Sequence, residues 1–202
     1  MIAIIDYGVG NLFSLGSSFA AIGEDAVVTR DPGVIRRADR LILPGVGAFG
    51  DAAAKLRGSG MADIVREQAA AGKPIMGICL GMQLLFERSY EYGEHEGLGL
   101  IKGCVRPIAD VIDPALKIPH IGWNALIFKR QSKLFRYIKE GDCVYFVHSY
   151  CAADCDDSVT SVAEYSAPLT ASVESGSMFG CQFHPEKSGA VGLNILKAFC
   201  EI

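Results

Sequence analysis

No apolar run in the chain approaches the ~18–20 residues that a membrane-spanning helix needs. The N-terminal stretch Ile2-Ala3-Ile4-Ile5 ends at Asp6; with no basic segment before it, it is too short for a secretory signal. A surplus of positive charge is also missing, since 19 Lys+Arg stand against 23 Asp+Glu, a net charge of −4. A protein that neutralises phosphates carries a basic stripe, and none is visible, so neither membrane nor nucleic acid is an expected partner. Internal repeats, low-complexity tracts and linker-like segments are absent too.

Cysteine is not scarce, but it is unsuited to a disulfide framework. The seven thiols at Cys79, Cys104, Cys143, Cys151, Cys155, Cys181 and Cys200 are odd in number and scattered. They fit free thiols in a reducing, cytoplasmic setting. Half of the 202 residues are apolar and 21% are charged, enough for a packed core. A single domain over residues 1–202 is expected, an enzyme or a binding module.

Short apolar runs alternate with amphipathic ones through the first half. Strands are expected at Met1–Asp6, Ala26–Thr29, Leu41–Leu43 and Ile75–Ile78. Helices are expected from an Asn11 N-cap to Ile22, at Ala52–Leu56, at Met61–Ala71 and over Leu80–Ser89, the last with Leu84, Leu85 and Phe86 toward the core. Asp31-Pro32-Gly33 reads as a turn. The second half is richer in strands, at Val105–Pro107, Val144–Tyr150, Val159–Tyr165, Leu169–Val173 and Met178–Phe183, and closes with a helix over Gly189–Phe199. This order predicts an α/β fold of three layers, a mixed but mostly parallel sheet with helices on both faces.

Gly77-Ile78-Cys79-Leu80-Gly81 follows an apolar strand and opens a helix, the context of a nucleophile elbow. Glycine two residues on either side permits a sharp turn and close packing. A thiol at a helix start lies near unsatisfied N–H groups, which favour a thiolate, and the N–H of Leu80 can meet an oxyanion formed by attack of Cys79 on a carbonyl. Gln83, one helical turn on, shares the face of Cys79. The alternative is a small buried residue ending a strand.

Such a nucleophile needs a base, and His184 in Gln182-Phe183-His184-Pro185-Glu186 is the best placed. Proline holds His184 extended, so Glu186 two residues on falls on the same face and can orient the imidazole. His148 reads as a core or substrate-lining residue and His95, between two glutamates, as solvated; His120 is left open. A second oxyanion donor can come from Pro44-Gly45-Val46-Gly47, which is equally an ordinary glycine turn into a helix.

Two other signals are discounted. Gly45–Gly50 matches G-x-G-x-x-G but follows the third strand, and no acidic residue closes a second strand ~20 positions later to hold a ribose. Cys143, His148, Cys151 and Cys155 have the composition of a zinc set, yet on one strand Cys143 and Cys151 would stand about 26 Å apart, at ~3.3 Å per residue. That cannot converge on one ion. Neither a metal nor a cofactor is expected.

Gly77–Gln83 together with His184-Pro185-Glu186 resembles the class I, triad-type glutamine amidotransferases, whose fold is flavodoxin-like. Asp6–Leu12, Leu43–Phe49, Pro119–Asn124, Val147–Tyr150 and Gln182–Gly189 narrow the likeness to the glutaminase subunits of imidazole glycerol phosphate synthase. The resemblance spans essentially the whole chain as one amidotransferase domain. It implies that L-glutamine is hydrolysed through a thioester on Cys79, with His184 as acid and base and Glu186 as its orienter. It further implies oxyanion-hole amides from Gly47 and Leu80, and substrate contacts from Gln83, Ser149 and Tyr150. Trp123 and Lys187 would face the partner, a cyclase subunit built as a (β/α)₈ barrel that receives the ammonia in histidine biosynthesis. Other readings are a glutaminase serving another synthase, such as an amino-sugar pathway paralogue, a stand-alone γ-glutamyl-type cysteine hydrolase, and a non-catalytic regulatory module.

Overall fold

A computed structural model describes residues 1–202. In chain order the elements are β1 (Ile2–Ile5), α1 (Leu12–Ala21), β2 (Ala26–Thr29), α2 (Pro32–Arg37), β3 (Arg40–Leu43), α3 (Phe49–Gly58), α4 (Met61–Ala70), β4 (Ile75–Ile78), α5 (Leu80–Leu84), β5 (Phe86–Ser89) and β6 (His95–Glu96). They continue as β7 (Ile101–Pro107), β8 (His120–Ala125), β9 (Ile127–Phe128), β10 (Cys143–His148), β11 (Tyr150–Ala153), β12 (Val159–Glu164), β13 (Pro168–Ser175), β14 (Met178–Cys181) and α6 (Gly189–Cys200).

The main sheet has eight strands in the order β2-β1-β3-β4-β14-β13-β12-β9. From β2 to β14 the pairings are parallel, and from β14 to β9 they are antiparallel. Alternation along the parallel strands sends their side chains into two cores. Ala3, Ile5, Leu41, Leu43 and Ile75 pack with residues of α2, α3 and α4 on one face. Ile2, Ile4, Ile42, Met76 and Ile78 pack with Leu15 and Phe19 of α1 and Ile195, Leu196 and Phe199 of α6 on the other. Strands covered on both faces read as continuous apolar runs, which is why these short segments were legible. The expected α/β class, a mostly parallel mixed sheet between helical layers, is what the chain forms. No helix is long and apolar enough to cross a membrane.

Three expectations need correcting. The helix predicted over Leu80–Ser89 stops at Leu84, and Phe86–Ser89 is strand β5. Leu84, Leu85 and Phe86 are all fully buried. Their carbonyls accept from Leu98, Leu100 and Gly99 at 2.8–3.0 Å, so a neighbouring segment replaces the helical ladder. Asp31-Pro32-Gly33 is not merely a turn: Asp31 accepts from the N–H of Gly33 at 2.7 Å and caps α2, with proline in its first turn. Val144–Tyr150 is not one strand, because the chain breaks at Ser149. β10 pairs with β8 in a two-stranded sheet, while β11 joins β7, β5 and β6. The separation of Cys143 from Cys151 therefore does not rest on a single extended strand, although no three His, Cys, Asp or Glu side chains converge as a metal would require.

Candidate active site

Cys79 sits between β4 and α5 with φ 55° and ψ −115°, a left-handed conformation costly for any residue with a Cβ. The surroundings hold it there. Its N–H donates to the Cys181 carbonyl at 2.8 Å, and its carbonyl accepts from Met82 and Gln83 at 3.0 and 3.2 Å. The flanking glycines are required by contact. A Cβ on Gly81 would lie 1.8 Å from the Leu43 carbonyl oxygen, and one on Gly77 2.6 Å from the backbone of Gly81 and Met82. Gly81→Ala is expected to cost about 3 kcal/mol, the upper end of the range for overpacking, because β3 and α5 must part. A denaturant midpoint matching wild type would contradict that packing.

His184 follows β14 at the same sheet edge and is 3% exposed. Its backbone is extended, φ −99° and ψ 99°, as proline at 185 demands. Its Nδ1 lies 2.9 Å from Glu186 Oε1, but not because the chain stays extended through 186. Pro185–Lys187 form one 3₁₀ turn, and this turn swings the carboxylate back onto the ring. Glu186 Oε2 is buried without a partner, and Oε1 is approached at 3.5 Å by Asn11 Nδ2. Asn11 makes no side-chain cap to α1, the role expected of it. Burial alone would lower the His184 pKa, but its interactions with Cys79 and Glu186 outweigh this and lift the value to about 9.

That shift fixes the sign of a pH effect. Between about 6.5 and 9 the folded ring holds its proton while the unfolded ring releases it, so this stabilisation is complete below 6.5 and fades as pH climbs toward 9. In a urea titration, the wild-type midpoint should fall across this window more than that of His184→Gln. Parallel curves would contradict the raised value.

Cys79 and His184 open into a cavity of about 330 Å³ that is also lined by Val46, Gly47, Leu80, Gln83, Glu91, Pro119, Val147, His148, Ser149, Tyr150 and Lys187. Gly47 has φ 92°, and its N–H makes no hydrogen bond within the protein. Leu80, opening α5, likewise has no backbone acceptor for its N–H. The structure thus brings Gly47, Leu80, Gln83, Ser149 and Tyr150 to one cavity with the cysteine and histidine. Trp123 is not among its lining residues; it is 56% exposed on β8, edge-on to Tyr145, over whose ring Lys187 Nζ lies at 5.9 Å.

His148 is the other cavity histidine, and its bonds disqualify it as the base. Nδ1 lies 2.8 Å from the Tyr150 carbonyl and Nε2 3.0 Å from His120 Nδ1. Burial, only partly offset by the Tyr150 carbonyl, pushes its pKa down to about 4. His120, left open by the sequence, is thus a buried partner of His148 and of Asn124 at 2.8 Å. His95 is not simply solvated but half-buried on β6, its ring against Gly50.

Two site residues were missed. Gln182 is buried, accepts from Gln83 Nε2 at 2.9 Å and directs its own Nε2 to Cys79 Sγ at 3.7 Å. Its signal was available, since it lies two positions before His184 at the end of an apolar strand. Glu91 accepts from the N–H of Phe49 at 2.6 Å and lines the cavity; nothing in its neighbourhood marked it. It also occupies the N-terminus of α3, where a dinucleotide bound to Gly45–Gly50 would rest its phosphates.

Comparison with known proteins identifies the family. A family model described as glutamine amidotransferase class-I matches residues 3–201. Imidazole glycerol phosphate synthase subunit HisH of Lactococcus lactis is 49% identical, over 99% of this chain and 98% of that protein. The HisH subunit of Aquifex aeolicus is 48% identical over 97% and 94%. Among solved structures, PurLQS from Thermotoga maritima superposes with a TM-score of 0.74 at 23% identity, covering 99% of this chain and 97% of that one. A crystal structure described as glutamine amidotransferase gives 0.77 at 18%, covering 100% and 98%. With a family match along nearly its whole length and full-length relatives near 50% identity, the chain belongs to the class-I glutamine amidotransferases, in the branch of the HisH subunits of imidazole glycerol phosphate synthase.

Proposed function

We propose that the chain hydrolyses L-glutamine to L-glutamate and ammonia, and delivers the ammonia to a cyclase subunit with which it forms a heterodimer in histidine biosynthesis. The observation that carries this reading is the Cys79–His184–Glu186 set, opening into one cavity with two free backbone N–H groups beside the nucleophile. Cys79 Sγ attacks the side-chain amide carbon of glutamine, and the N–H groups of Gly47 and Leu80 take the oxyanion. His184, protonated at neutral pH, gives its proton to the leaving nitrogen, and ammonia departs. The neutral ring then takes a proton from water, which attacks the thioester and frees glutamate.

The amino-acid end of glutamine needs complementary groups. The Glu91 carboxylate suits the α-ammonium. Gln83 spends its amide hydrogens on Tyr150 O and Gln182 Oε1, leaving its carbonyl oxygen as an acceptor. Ser149 and Tyr150, at the break between β10 and β11, supply the wall for the carboxylate end. Trp123 and Lys187 mark the partner face, where Ile118 and Ile121 are also exposed, an apolar patch of the kind that associating surfaces carry. No cofactor enters this chemistry.

A glutamine-shaped electrophile, such as a chloroketone analogue, tests the reading. Mass spectrometry should find one adduct, on Cys79, and excess glutamine should suppress it. Labelling spread over other thiols, or indifferent to glutamine, would overturn it.

A further inference from the structure

The loop that carries Gly47 is held in an unusual way. From Gly45 to Ala48 no backbone N–H is hydrogen-bonded within the protein, and Pro44 has none to offer. Side chains from elsewhere pin the two ends. At the far end, Glu91 accepts from the N–H of Phe49 at 2.6 Å. At the near end, the Tyr7 hydroxyl donates to the Pro44 carbonyl at 2.7 Å, a buried bond from a residue only 4% exposed. Burial, and then the neighbouring Cys79, raise the proton affinity of this phenol, so it remains a donor at any working pH. The loop between the pins lies directly on the nucleophile turn: a Cβ on Gly45 would come within 2.6 Å of Gly81 N and 2.9 Å of Leu80 Cβ.

We infer that Tyr7 is a positioning residue for the oxyanion, its hydroxyl fixing where the Gly45–Ala48 loop leaves β3 and so where the Gly47 N–H points. The inference rests on the proposed reading, in which Gly47 donates to the tetrahedral intermediate. Packing of Gly45 on Gly81 and Leu80 holds the foot of the loop, and Tyr7 adds the one hydrogen bond that fixes the Pro44 carbonyl before it; an oxyanion donor acts only when it is aimed before the charge develops. Tyr7 touches neither substrate nor the reacting atoms; it acts through Pro44.

Tyr7→Phe removes one oxygen and keeps the ring in the core. Two rates separate its effect on the loop from an effect on the thiol. Glutamine hydrolysis passes through an oxyanion, whereas alkylation of Cys79 by iodoacetamide is a direct displacement that does not. Wild-type turnover in complex with the cyclase is measured first, and its absence would overturn the proposed function and this inference together. With wild type active, the variant should show kcat about tenfold lower, KM for glutamine unchanged and alkylation at the wild-type rate. Unchanged kcat would overturn the role of Tyr7 while leaving the glutaminase reading intact. A parallel fall in hydrolysis and alkylation would also overturn it, by showing that the hydroxyl acts on Cys79 or on the fold.

Discussion

Cys79→Ala is expected to abolish glutamine hydrolysis, by about 10⁴-fold or more, while the partner still binds. The loss follows from chemistry: alanine offers no nucleophile, and the other cavity groups can only polarise the amide. The surroundings should survive, because the strained backbone at position 79 is fixed by bonds from its N–H and carbonyl and by the close approach of Gly77 and Gly81 to their neighbours, none of which needs sulfur. Trp123 does not line the cavity, so that part of the proposed partner face is untouched. Ammonium salts added to the complex should still feed the partner's synthesis. Glutamate release near the wild-type rate would remove Cys79 from its role.

The second large effect is the difference between two triad variants. His184→Ala should lower kcat by about 10²–10⁴-fold, the usual worth of a positioned acid and base. Glu186→Gln should lower it less than that, since it weakens orientation and charge without removing the proton carrier. The geometry supports this order. Glutamine at 186 can still present an oxygen to His184 Nδ1, and the 3₁₀ turn over Pro185–Lys187 still delivers it. What is lost is the carboxylate charge that, with Cys79, lifts the ring to about 9. The pH profile of Glu186→Gln should therefore show its histidine step at lower pH than wild type. Equal losses in the two variants would count against Glu186 as an orienter.

The parts legible in the sequence were those where one residue type has one physical use. Ile2–Ile5 and Ile75–Ile78 are buried on both faces and admit few readings besides strands of a covered sheet. Gly77 and Gly81 bracket the turn at positions where a Cβ would collide with backbone, so the nucleophile announced itself through its glycines. His184 was legible through Pro185. What the sequence hid depends on the company a segment keeps. Leu84–Phe86 has a helix former's composition, and only the pairing of β5 with β6 and β7 makes Phe86–Ser89 a strand. Val144–Tyr150 contains neither glycine nor proline, and its break at Ser149 is decided by which strand pairs on each side. Glu91 stands in a charged, solvated-looking stretch, yet its carboxylate is folded onto the start of α3. Each of these is a long-range pairing, invisible to local pattern.

A glutaminase that works for a cyclase should reveal itself in one assay. Glutamate release from glutamine is measured for the purified chain alone, with the cyclase subunit, and with that subunit plus its aminoimidazole-carboxamide nucleotide substrate. Release should be slow alone and strongly stimulated only when partner and nucleotide are both present, because ammonia freed without a dry path to its acceptor is wasted as ammonium. Full activity of the isolated chain, or indifference to that nucleotide, would contradict that role.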